Sequence, residues 1–294
     1  MRGHRVLVTG GSGQLGSDLE LLLSDTCTVA APPHAELDVC DDAAVAEAFD
    51  ALRPTAVINC AAFHNVEVCE REPGRSFEVN VSAVKALAER SADAGARFVH
   101  LSTNYVFDGT RPDPYGEDDL PAPRSIYAIS KLAGEHAALA YAPGALVVRT
   151  AGLYGLQGSA SKGGNFVTRM LKRATDGQPI TMVADQRLSP TFTSDLARAV
   201  AEALDAGAEG VLHLTNSGEC SWFEFTRAIA EIAGVDASIE PAATVRRPGA
   251  ADRPLNGVLA RPAADAAGLT ALPHWRDALE GYMERAGLAA ARAA

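Results

Sequence analysis

Apolar positions in the first half of the chain fall into short runs separated by amphipathic stretches. Residues 5–9 are a β-branched run ending in glycines, and 14–23 carries helical spacing. Residues 26–31 and 37–39 are short apolar segments that predict strands, and 41–52 opens with acids and returns to helical spacing. The alternation continues with a strand predicted at 56–62, a long helix at 74–94, a strand at 97–103, a helix at 125–141 and a strand at 145–150. Strand–helix alternation predicts an α/β fold, a parallel sheet wound with helices on both faces. The strands are continuously apolar, as strands buried on both sides must be.

The pattern changes after residue 150. Residues 155–164 are rich in Gly and Ser and read as a loop; helices are predicted at 165–175, 193–206, 221–234 and 274–286, with strands at 180–183 and 211–214. The expectation is a cofactor-sized domain over 1–150, with a segment at about 179–215 returning to its sheet. Residues 151–178 and 216–294 would then form a smaller α/β lobe, ending in a frayed tail after Gly287. The 294 residues are 47% hydrophobic and 21% charged, an ordinary globular composition. A net charge of −11 argues against nucleic acid or an anionic membrane as partner. Five cysteines without a C-x-x-C spacing point to reduced thiols in a cytoplasmic protein and to no metal site. No apolar run is long enough for a signal segment or a membrane span.

The first strand runs into Thr9-Gly10-Gly11-Ser12-Gly13-Gln14-Leu15-Gly16. Glycines between a strand and a helix allow a tight turn and a close backbone approach to a pyrophosphate, and the helix N-terminus offers unpaired N–H groups. An acid expected at the end of the second strand would bind a ribose hydroxyl, but this strand ends in Ala30-Ala31-Pro32-Pro33-His34, with Glu36 and Asp38 slightly late. Neither an acid nor an arginine stands there, so NADH and NADPH both stay open.

Tyr127 and Lys131 share one helical face in Tyr-x-x-x-Lys. An ammonium beside a phenol favours phenolate and would draw the tyrosine pKa down, suiting it to proton transfer at a carbonyl oxygen. Thr103 lies at the carboxyl end of the strand 97–103, where open parallel sheets bind ligands, and could hold the same oxygen. Asn80, in an apolar helical stretch, needs hydrogen bonds if buried; it serves either a backbone turn or a relay near the lysine.

These residues, with Ser102-Thr103-Asn104-Tyr105-Val106-Phe107-Asp108-Gly109, Ser130-Lys131-Leu132-Ala133-Gly134-Glu135 and Ser221-Trp222-Phe223-Glu224-Phe225, resemble the extended short-chain dehydrogenases. The finer resemblance is to the dTDP-4-dehydrorhamnose reductase family. It implies a Rossmann-type cofactor domain, a smaller lobe for a nucleotide-linked sugar, and hydride transfer from NADPH or NADH to a 4-keto carbon. Tyr127 would donate the proton, Thr103 orient the carbonyl, and Lys131 hold the nicotinamide ribose and tune Tyr127. Gly10, Gly13, Gln14, Leu15 and Gly16 would form the pyrophosphate turn, Asp38 and Val39 would lie near the adenine, and Ala61, Ala62 and Phe63 would line the cofactor. Thr103, Asn104, Gly152 and Asn165 would meet the sugar, in a protein that is a monomer or a homodimer. Three residues depart from the family pattern: Asn104 stands for an acid, Gly152 for a Trp that packs on the sugar, and Leu188 for a Gly. The departures imply a different 4-keto-6-deoxy sugar. An epimerase, a dehydratase and a non-catalytic subunit resembling the regulatory partner of methionine adenosyltransferase share the fold. Asn104-Tyr105 in place of an acid pair counts against the dehydratase, and Thr103, Tyr127 and Lys131 together count for an enzyme.

Overall fold

The computed structural model describes residues 2–157, 164–247 and 249–290. Residues 158–163 of the expected Gly/Ser loop and residues 291–294 of the expected tail lie outside the described residues. A six-stranded parallel sheet, ordered β2-β1-β3-β4-β5-β10, forms the centre. Its strands are β1 (Arg5–Thr9), β2 (Thr28–Ala30), β3 (Ala56–Asn59), β4 (Arg97–Thr103), β5 (Leu146–Thr150) and β10 (Gly210–His213). The chain turns to opposite sides after β1, with β2 on one flank and β3 on the other. That switch opens a crevice at the carboxyl ends of β1 and β3.

One sheet face buries Val6, Val8, Ile58, Val99 and Val148 beneath α1 (Gln14–Leu23) and α8 (Thr193–Asp205). The other buries Leu7, Val57, Phe98 and Val147 beneath α2 (Asp42–Leu52), α5 (Ala83–Asp93) and α6 (Ile126–Tyr141). Helix starts follow the sequence: Asp41 caps α2 by accepting from the N–H groups of Ala43 and Ala44, and Ser125 caps α6 by accepting from Ala128 N.

Three expectations are corrected. Residues 37–39 form no strand: Leu37 N donates to Pro33 O and Asp41 N to Asp38 O, so turns consume the backbone groups a ladder would need, although Leu37 and Val39 are buried. The helix expected at 74–94 is α4 (Pro73–Phe77), a π turn (Glu78–Ser82) and α5, preceded by an unforeseen α3 (Val66–Arg71). The segment returning to the central sheet begins at α8, since β7 (Ile180–Val183) pairs with β12 (Ile239–Ala242) in the outer lobe. Late in the chain, α10 (Pro262–Ala266) and Leu269 and Leu272 pack back on the central core, so 216–294 is not wholly lobe.

The lobe has its own aromatic core of Tyr154, Phe192, Phe225, Trp275 and Tyr282, carried by β6 (Leu153–Tyr154), β9 (Thr191–Phe192), α9 (Trp222–Ala233) and α11 (Trp275–Arg285), with α7 (Phe166–Thr175) against it. Two short pairings, β8 (Arg187–Leu188) with β11 (Cys220–Ser221) and with β13 (Asn256–Gly257), bring a lobe loop toward the end of β4. Among the described residues no helix is long and apolar enough to cross a membrane.

Candidate active site

The glycine turn lies at the crevice, and its glycines are not equivalent. Gly10 has φ +69°, and a Cβ there would come within 2.9 Å of Ala61 N at the end of β3. A Cβ at Gly11 would overlap the Ala31 carbonyl, and one at Gly16 would overlap the Gly10 carbonyl. At Gly13 a Cβ would meet only Gly10 O, at 3.0 Å. Gly13 is the N-cap of α1 and no side chain caps that helix, so its first-turn N–H groups face the open turn. An uncapped helix start beside an open glycine suits an anionic pyrophosphate.

The residues expected to meet the cofactor differ in what they expose. Leu15 and Val39 bury their side chains in the cores, so only their backbone faces the cleft. Asp38 keeps its carboxylate at the surface, where the Cys40 N–H and the nearby His34 and Arg75 hold its pKa below the ordinary value against a smaller effect of burial. Arg75 of α4 stands 3.5 Å from it, a cation that the sequence did not single out because α4 is remote from β2 in the chain. Ala61 touches the turn, and Phe63 is pinned at both backbone groups by Asn80: Phe63 N donates to Asn80 Oδ1 at 2.9 Å, and Asn80 Nδ2 donates to Phe63 O at 3.0 Å. The second Asn80 N–H goes to Ser130 Oγ, so Asn80 holds a backbone turn.

Thr103 ends β4 beside Tyr127 of α6, and burial pushes the Tyr127 phenol well above its ordinary range, with the Thr103 hydroxyl opposing. Tyr105 packs edge-on against Tyr127 with centroids 5.8 Å apart. The tuning of Tyr127 by Lys131 expected from the sequence is not what this geometry does: Lys131 Nζ turns inward, donating to Leu101 O at 2.6 Å and meeting His100 Nε2 at 3.2 Å. Burial brings the Lys131 amine down to about 8, with Glu135 and Cys60 opposing. Behind it, the buried Glu135 carboxylate is held by Arg149 at 2.7 Å and by the Ser102 hydroxyl.

The expected sugar contacts are rearranged. Asn165 caps α7 and gives both amide hydrogens to the chain, to Gly155 O and to Tyr282 OH, each at 2.7 Å; its reading as a sugar contact is corrected to a lobe joint. Asn104 donates to Gly257 O at 3.0 Å, and a Cβ at Gly257 would overlap its amide nitrogen. Gly152, at φ +55°, lies under Leu188: a Cβ there would come within 2.7 Å of Leu188 Cδ1. The space beside Gly152 is therefore occupied by Leu188 of β8. Gln14 Oε1 accepts from Gly155 N at 3.1 Å and ties the glycine turn to the lobe.

A parallel sheet with this turn at its switch point, facing a Tyr-x-x-x-Lys helix and a strand-end threonine, defines an NAD(P)-dependent oxidoreductase of the extended short-chain class. The family model described as the RmlD substrate binding domain matches residues 4–287, and the chain belongs to that family. It is 39% identical over 285 residues to a dTDP-4-dehydrorhamnose reductase of Mycobacterium tuberculosis, covering 95% of this chain and 92% of the relative. It is 38% identical over 279 residues to a dTDP-4-keto-6-deoxy-D-glucose reductase of Streptomyces niveus, covering 94% and 95%. The structure superimposes with a TM-score of 0.91 on a dTDP-4-dehydrorhamnose reductase of Bacillus anthracis in complex with NADP, at 32% identity and covering 96% and 99% of the two chains.

Proposed function

We propose that this protein reduces the 4-keto group of a nucleotide-linked 4-keto-6-deoxy sugar with NADPH or NADH, the chemistry named for its Mycobacterium and Streptomyces relatives. The observation that carries the reading is the meeting of Thr103 and Tyr127 beside the open glycine turn. Gly13 and the first-turn amides of α1 would hold the pyrophosphate, Asp38 the adenosine end, and Ala61, Ala62 and Phe63 the wall of the cleft. The bound nicotinamide supplies a hydride to the carbonyl carbon. Tyr127 O–H donates its proton to the carbonyl oxygen, and Thr103 hydrogen-bonds that oxygen and fixes its direction. Burial keeps the phenol protonated at neutral pH, the form a reduction needs. Lys131, on the same face of α6, would hold the ribose.

Cofactor oxidation should be followed over dTDP-, GDP- and UDP-linked 4-keto sugars. One should be reduced with stoichiometric loss of NAD(P)H, and Tyr127→Phe should keep the fold and cofactor binding while losing roughly 10²–10⁴ in rate. A Tyr127→Phe protein with near-normal kcat would refute the reading, and turnover without net cofactor oxidation would mark an epimerase instead.

A further inference from the structure

Helix α1 grips the lobe with one face. Gln14 and Asp18 lie four residues apart, hence side by side on α1. Gln14 Oε1 accepts from Gly155 N at 3.1 Å; Asp18 Oδ2 lies 2.5 Å from the Thr193 hydroxyl, which also reaches Tyr154 O at 3.2 Å. The two side chains therefore hold consecutive residues, Tyr154 and Gly155, where the chain passes from β5 into the lobe. The approach is close enough to demand a glycine: a Cβ at Gly155 would overlap Thr193 Oγ1 and meet Gln14 Cβ at 3.4 Å. From Gly155 the bonds run on. Its carbonyl accepts from Asn165 Nδ2 at 2.7 Å, and Asn165 caps α7 and gives its other amide hydrogen to Tyr282 OH of α11. Gln14 is the first residue of α1, next to the N-cap Gly13, so one side chain stands between the uncapped glycine turn and this series of lobe bonds.

The polarity of this carboxamide is fixed by its partner. Gly155 N–H can only donate, so the Gln14 atom facing it is the oxygen, and the two Nε2 hydrogens lie on the other side of the group. Gln14 is half-buried there, beside the exposed Ser12 and Gly13. We propose that Gln14 is a positioning residue that couples the cofactor to the sugar lobe: its Nε2 hydrogens donate to a pyrophosphate on the turn while its Oε1 holds Gly155, so that an occupied turn fixes the start of α7 and Tyr282. The inference rests on the reading that the turn takes NAD(P)H and the lobe a nucleotide-linked sugar. No neighbouring group does both. The first-turn amides of α1 meet a phosphate without touching the lobe, and Asp18 touches the lobe a full turn away from the phosphates. Nor does another side chain of this length suffice, since an ionised glutamate only accepts and a lysine only donates. Such coupling is reciprocal: the factor by which bound cofactor tightens the sugar nucleotide is the factor by which the sugar nucleotide tightens the cofactor.

The test is hydrogen–deuterium exchange of the purified protein with and without NADPH, joined to a fluorescence titration of NADPH. In the parent, NADPH should slow exchange at the glycine turn and also at Gly155 and the first turn of α7. Gln14→Met keeps the length of the side chain without its polar atoms. At saturating NADPH the turn should stay protected in this variant, while the added protection at Gly155 and α7 is lost; Gln14→Ala serves if Gln14→Met does not fold. Gln14→Glu keeps an acceptor for Gly155 N but carries no hydrogen, so NADPH binding should weaken by about tenfold or more, an effect that a purely structural joint would not produce. A parent in which NADPH protects nothing beyond the turn, a Gln14→Met or Gln14→Ala protein with the parent's protection of α7, or an unchanged Kd in Gln14→Glu overturns the inference. A second arm titrates dTDP, UDP and GDP with and without NADPH: NADPH should tighten the one that binds by about fivefold or more in the parent and not in Gln14→Met. Failure of the sugar-nucleotide reading would appear separately, as absent binding of all three with the NADPH-dependent exchange intact.

Discussion

A Cβ at Gly11 has nowhere to go, whereas one at Gly13 meets only the Gly10 carbonyl oxygen, at 3.0 Å. The two substitutions therefore separate stability from binding. Gly11→Ala should cost about 1–3 kcal/mol of folding stability, read as a lowered urea midpoint. Gly13→Val should fold like the parent and weaken NAD(P)H binding by at least about tenfold in a fluorescence titration, because its side chain occupies the place where the backbone must approach a pyrophosphate. Asn104→Asp would set a carboxylate against the Gly257 carbonyl that now accepts the Asn104 amide, at an expected cost of about 1–3 kcal/mol. The glycine turn, Thr103 and Tyr127 were legible in the sequence because each belongs to a local pattern. His100 stood in plain view as a polar residue in an apolar strand, but its contact with Lys131 depends on how α6 packs on β4. Arg75 escaped for the same reason: it reaches Asp38 only through the packing of α4.

Helix α6 carries the site, and two features fix it. Gly134 lets the π turn approach so closely that a Cβ would overlap Asn80 O, and Glu135 and Arg149 pair between α6 and β5 with side chains only 2% and 5% exposed. Removing one partner of such a pair strands the other charge, so Glu135→Leu should cost about 3–5 kcal/mol in urea unfolding, and Glu135→Leu with Arg149→Met much less. The loops after β5 and at β8 are coupled in the same manner. Gly152→Trp alone should destabilise by about 2 kcal/mol or more, since it needs a left-handed backbone and collides with Leu188. With Leu188→Gly added, part of that loss should return, and kcat/KM should shift toward dTDP-4-dehydrorhamnose only in the double variant, as unfolding and steady-state cycles would show. Sequence periodicity located nearly all the long elements, because amphipathic spacing is a local property. It missed α3 and the π turn, which depend on how the chain packs over α6, and it made a strand of 37–39, whose burial is real but whose backbone is spent in turns.

Body and lobe are interleaved along the chain. Asp18 of α1 takes the Thr193 hydroxyl of α8 at 2.5 Å and feels Arg285 of α11, so one carboxylate joins three helices. Burial raises its pKa above 3.8 despite those partners. The folded chain thus binds this proton more tightly than the unfolded chain, and the contribution of Asp18 to stability is fully present below pH 3.8 and lost as pH rises through the raised value. Asp18→Asn keeps an acceptor for Thr193 without the charge; its Tm should exceed the parent's at pH 7 and converge with it below pH 3.8, by calorimetry across pH. The domain boundary near 150 was visible as a change of pattern, but the return of α8, β10 and α10 to the central core was only partly so, since nothing local marks which core a helix joins. That return has a consequence for the chain as it leaves the ribosome. Ala264, Leu269 and Leu272 cover a core whose first strand is residues 5–9, so the nucleotide-binding half cannot close until residues 264–272 have been synthesised. A nascent chain halted at residue 250 should remain protease-sensitive throughout, its first 150 residues included, although they spell out most of the sheet.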